Sequence, residues 1–120
     1  MSKSRVLTWF KVGVTSTGFT RNVSPPGEKG YSDAVEFDKI RRVCLVVAQD
    51  WYDNDELYIF TDRTASYVVP LHADGAEALL QVLGEKNLVD SKEVINAFLK
   101  PKEHPMTCWP PAKTTTGKKD

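Results

Sequence analysis

Apolar and polar residues alternate through most of the first seventy residues of this chain, and then the period changes. Up to Leu71 the spacing is two, the period of a strand with one buried face. From Ala76 onward the apolar residues recur at three and four, the period of an amphipathic helix. A run of strands followed by helices is the signature of an α+β domain. With 120 residues, the chain has room for one such domain.

Trp9 to Val14 alternates, with Phe10, Val12 and Val14 on one side. Thr15 to Gly18 is a turn, and Phe19 to Val23 returns as a second strand. Ser24 to Gly30 holds two prolines and two glycines and reads as a loop. Val35 to Ile40 alternates again. Val43 to Ala48 is continuously apolar, which predicts a strand covered on both faces. Gln49 to Glu56 is a polar turn, Leu57 to Phe60 a strand, and Ser66 to Leu71 the last one. Pro70 marks that last strand as an edge. About six antiparallel strands, closed into a barrel or a bent sheet, are expected.

Two helix starts follow. Asp74 with Glu77 forms a capping-box pattern ahead of Ala76, Leu79, Leu80 and Leu83, a stripe expected to lie on the sheet. Asp90 with Glu93 repeats the pattern ahead of Val94, Ile95, Phe98 and Leu99, and Pro101 ends that shorter helix. The last twenty residues hold four of the seven prolines and three consecutive threonines. They read as a flexible C-terminal tail over residues 101–120, with Trp109 as an anchor, behind a single domain over residues 1–100.

Composition narrows function mainly by exclusion. Sixteen basic residues balance sixteen acidic ones, which argues against a dedicated nucleic-acid coat. No window is long and apolar enough for a membrane helix. The first residues lack an uninterrupted apolar stretch and read as the start of the domain and not as a signal peptide. Two cysteines are too few for a disulfide framework. Cys44 lies in the apolar strand, where a buried reduced thiol is expected, and a cytoplasmic location follows from that reading. His72 and His104 are far apart and no Cys-x-x-Cys occurs, so neither metal nor cofactor is expected. The acids from Asp50 to Glu56 lack the glycine and the spacing of a calcium loop. No nucleophile motif or phosphate-binding loop is present.

What remains points to binding. Trp51 and Tyr52 stand inside a turn otherwise built from Asp50, Asp53, Asn54 and Asp55, and exposed aromatics among charges are frequent interface anchors. Partner binding is therefore assigned to Asp50, Trp51, Tyr52, Asp53 and Asp55, with a protein of unknown identity as the partner. One specific case is an immunity-type protein that covers a toxin's active site, for which an acidic turn would suit a basic target. A second reading is a small enzyme using His72 beside Asp74. A third is an anionic headgroup or nucleic-acid site on the basic set Lys3, Arg5, Lys11, Arg21, Lys29, Arg41 and Arg42, of which Arg21, Arg41 and Arg42 are the anion-binding candidates.

The order of strands and helix over residues 5–84 resembles the pleckstrin-homology superfold, and is most similar to small bacterial proteins with a PH-like barrel. The resemblance rests on the segments Val35 to Val43, Asp55 to Asp62 and Tyr67 to Leu71, followed by the Ala/Leu-rich helix. It implies a non-enzymatic interaction module. The basic phosphoinositide signature of eukaryotic members is not evident between the first two strands.

Overall fold

The computed structural model describes residues 7–50 and 54–110. Strands β1 (Leu7–Val14), β2 (Gly18–Val23) and β3 (Tyr31–Glu36) form an antiparallel meander, and the short β7 (Ala73–Asp74) pairs parallel with β1. The order across this first sheet is β3-β2-β1-β7. Strands β4 (Arg42–Val46), β5 (Glu56–Phe60) and β6 (Tyr67–Pro70) form a second meander. Its far edge is completed by β8 (Met106–Trp109), giving the order β6-β5-β4-β8. Helices α1 (Ala76–Glu85) and α2 (Ser91–Leu99) lie between β7 and β8 in the chain.

The α+β class holds, but in place of one barrel or bent sheet of about six strands the described residues form two four-stranded sheets with no closed barrel. Alternation explains the inner faces. Phe10, Val12, Phe19, Val23 and Val35 from the first sheet join Val43, Leu45, Leu57, Ile59 and Val69 from the second in one core, with Leu79 and Leu83 of α1. Strand β4 is central in its sheet, and Val43, Cys44 and Leu45 are all buried, as its continuous apolar run predicts. Pro70 does lie on an edge strand. The predicted strand over Val35 to Ile40 is divided: β3 ends at Glu36 and Phe37–Lys39 form a single 3-10 turn.

The domain continues past residue 100. Residues 106–109 are a strand of the second sheet and not tail, and Trp109 is buried there with its indole Nε1 donating to Glu93 Oε1 at 2.6 Å. With β8 in place, Cys44 and Cys108 face each other across the β4–β8 register, Cα atoms 4.0 Å apart, and form a disulfide. This corrects the expectation of a reduced Cys44. The cysteine argument for a cytoplasmic location lapses with it. Among the described residues, no helix is long and apolar enough to cross a membrane.

The two helix starts differ from each other. Asp90 caps α2 as expected, its side chain accepting from the backbone N–H groups of Lys92 and Glu93. Asp90→Ala should therefore lower stability by about 1 kcal/mol, read from a urea melt, and a change indistinguishable from zero would show the cap to be idle. Asp74 does not cap α1. It belongs to β7, and the N-cap is Gly75 at φ 91° with no side-chain cap bond. A Cβ at Gly75 would collide with the carbonyl oxygen of Val12, so the close approach of β1 selects glycine over a capping side chain. Leu79 and Leu83 are fully buried, whereas Leu80 is only partly covered. The far end of α1 closes on Asn87 at φ 61°, whose N–H donates to Gly84 O while that of Leu88 donates to Leu83 O.

Candidate functional site

The turn between β4 and β5 is held from both ends. Asp55 Oδ1 accepts from the backbone N–H of Ala48 at 2.7 Å, and the Asp55 carbonyl accepts from Leu71 N. Asp55 thus closes the turn, and that side chain is not presented freely to a partner. Asp50 is exposed. Trp51, Tyr52 and Asp53 lie outside the described residues.

The structure places Gln49, at the start of this turn, against the end of α2. The Gln49 side-chain amide donates to Val47 O and to Pro101 O, both at 3.0 Å, and Val47 N donates to Pro105 O. Pro101 is two residues past α2, so the base of the acidic turn and the last turn of the helix are neighbours.

Helix α2 presents an unexpected face. Sequence spacing put Val94, Ile95, Phe98 and Leu99 in one apolar stripe. Only Val94 turns inward, joined by Ala97, while Ile95, Phe98 and Leu99 are 59%, 40% and 72% exposed. The small side chain of Ala97, fully buried, lets the helix approach the core on that line, and the three larger residues are left outside. Met106 on β8, the strand packed beside α2, is also 61% exposed. Scattered exposed apolar residues are ordinary, but three large ones on successive positions of a single helix face form a patch.

The anion-binding candidates are separated. Arg21 is on the inner face of β2 and only 6% exposed. Its Nε donates to Asp33 Oδ1 at 2.8 Å, its Nη2 to Asp33 Oδ2 at 2.5 Å, and its Nη1 to Val68 O at 3.0 Å. The rings of Tyr31 and Tyr67 lie within 5.5 Å and 5.1 Å of the guanidinium carbon. The hydrogen bonds to Asp33 raise the Arg21 pKa above its ordinary value against the opposing effect of burial. Arg21 is therefore a structural tie from β2 and β3 to β6, buried and with three of its five N–H donors engaged within the fold. Arg41 and Arg42 open instead onto a different cleft, at the start of β4. Of the remaining basic set, Lys11 and Lys29 are exposed, and Lys3 and Arg5 lie outside the described residues.

His72 and Asp74 line one cavity of about 400 Å³ together with Glu77. His72 Nδ1 is buried without a hydrogen-bond partner among the described residues. No hydrogen bond joins it to Asp74, so the two are not arranged as an oriented base. Among the described residues, no cluster of His, Cys, Asp and Glu has the geometry to hold a metal ion. On the outer face of the second sheet, the Tyr58 hydroxyl donates to Glu56 Oε1 at 2.9 Å, and that bond raises the Tyr58 pKa.

Comparison with protein-family models, with curated proteins and with solved structures returned no match to this chain.

Proposed function

We propose that this chain is a non-enzymatic protein-interaction module that docks a protein partner on the exposed face of α2 and the adjoining acidic turn. The observation that carries this reading is the juxtaposition made by the Gln49–Pro101 hydrogen bond. It sets exposed Asp50 and its turn beside the end of a helix whose Ile95, Phe98 and Leu99 are uncovered. An apolar centre with a charged rim is the usual anatomy of a recognition surface. The partner is a protein with an apolar anchor of its own and basic groups opposite the turn. An immunity-type protein that covers a toxin's active site is the specific form of this proposal. The resemblance to PH-like interaction modules is in keeping with it.

The test begins with capture from the native host, identification of the partner and measurement with both proteins purified. Ile95→Asp/Leu99→Asp should leave folding stability within about 0.5 kcal/mol of the parent, because both positions are exposed. Affinity for the purified partner should fall by about 2 kcal/mol or more, roughly thirtyfold. Unchanged affinity would remove α2 from the interface. Co-expression decides the immunity form: a partner toxic alone and harmless with this chain supports it, and toxicity that persists overturns it.

A further inference from the structure

A cleft of about 660 Å³ opens between the start of β4, the α1–α2 connection and the end of β8. Three cations line it: Arg41, Arg42 and Lys92. Among the described residues, none of the three has a hydrogen-bond or ion-pair partner for its side chain. The other arginines are treated differently by the fold. Arg21 is tied to Asp33, and Arg63 donates to the carbonyls of Ala65 and Ser66 while lying over the Tyr67 ring.

Asp90 is the single carboxylate on the lining, and its Oδ1 already accepts from the N–H groups of Lys92 and Glu93. The cleft therefore carries an excess of positive charge. Lys92 adds to it from the second position of α2, the end of a helix where a cation is unfavourable. Two arginines and a lysine on one lining with a single carboxylate leave the cleft short of negative charge, which an anion bound there would supply. Beside the cations the wall is apolar, formed by Leu88 and Val89.

From this arrangement we infer that the cleft binds a small phosphate monoester. The phosphoryl oxygens accept from the planar forks of Arg41 and Arg42 and from Lys92, and the organic body lies on Leu88 and Val89. A phosphate monoester carries about −1.5 to −2 charge at neutral pH and offers three strong acceptors, which matches a site of two arginines and a lysine. Of α2 the inference uses only Lys92, and none of Ile95, Phe98 and Leu99, so either assignment can fail without the other.

The test is an amide NMR titration of the full chain with phenyl phosphate, inorganic phosphate and phenol in separate arms. Phenyl phosphate should give saturable shifts at the amides of Gly84, Asn87 and Ser91 that weaken as salt is raised. Inorganic phosphate should bind the same amides about tenfold more weakly, since it forgoes the apolar wall. Phenol should leave them unmoved. Arg41→Gln/Arg42→Gln should weaken phenyl phosphate by about tenfold or more, with the core amides unchanged as evidence of folding. The inference is overturned by any of three results: no saturation by ~10 mM, far above useful affinity; equal affinity for inorganic phosphate; or undiminished binding by the double variant.

Discussion

Removing the Cys44–Cys108 disulfide should cost this domain about 4 kcal/mol, the chain-entropy value for a loop of this length. The two cysteines are 64 residues apart in sequence, so the bridge closes most of the domain into one loop and restricts the unfolded chain strongly. It also fastens β8, the last strand, to the centre of the second sheet. Cys44→Ala/Cys108→Ala, or the parent in reductant, should unfold at a clearly lower urea concentration than the oxidised parent. Amide exchange should speed up first in residues 106–109, because β8 is an edge strand. A thiol titration of the unfolded, unreduced protein should find no free cysteine. Identical urea midpoints with and without reductant would show that the bridge adds nothing to the fold, and reductant should have no further effect on the double variant.

Arg21 carries the second large effect. It is the buried cation that joins the β2–β3 edge of the first sheet to β6 of the second. Arg21→Met keeps the stem but leaves Asp33 without its counter-charge and the Val68 carbonyl without its donor. The expected loss is about 3 kcal/mol, at the low end for breaking a buried pair because Asp33 retains some access to water. Arg21→Lys should fall between the two, since an ammonium cannot span both carboxylate oxygens and the carbonyl as the guanidinium does. The cycle is completed by Arg21→Met/Asp33→Leu, in which much of the lost stability should return, because no unpaired charge is left behind. A single-variant loss below about 0.5 kcal/mol would place the tie among the weak surface pairs.

Both effects involve residues whose roles were unevenly legible. The disulfide had no local signal: Cys108 sat in a proline-rich stretch that read as tail, and only the β4–β8 pairing brings it opposite Cys44. Arg21 did have one. In the alternation of Phe19 to Val23 it occupies an inward position, between two apolar residues on the same face, and both neighbours on that face are buried with it. A charge on the buried face of a strand requires a partner, and Asp33 is directly opposite in the β2–β3 register. Charge counting placed Arg21 with the surface cations because it ignored the face on which the residue stands.

The helix starts show the same division. Asp90 and Glu93 carried a local pattern, and its Asp90 half holds, while the Glu93 carboxylate accepts from the Trp109 indole instead. Asp74 and Glu77 carried a similar pattern, but β7 pairs with β1 at that position and the approach of Val12 leaves room only for Gly75 at the cap. On α2 the apolar period was correct and its phase was not. Rotating Ala97 inward in place of Phe98 depends on how closely the helix can approach its neighbours, which spacing along the chain does not encode.

From the chain alone, the run of strands β1 to β6 ahead of the two helices, the inward faces of β1 and β2 and the cap of α2 could be derived, because each depends on residues close together in sequence. The tertiary structure decided the two-sheet arrangement, the place of β8, the disulfide, the partner of Arg21 and the exposed face of α2. It also gathered Arg41, Arg42 and Lys92 around one cleft. Each of these requires groups tens of residues apart to meet, and whether they meet is settled by the packing of the whole core against the entropy of closing those loops.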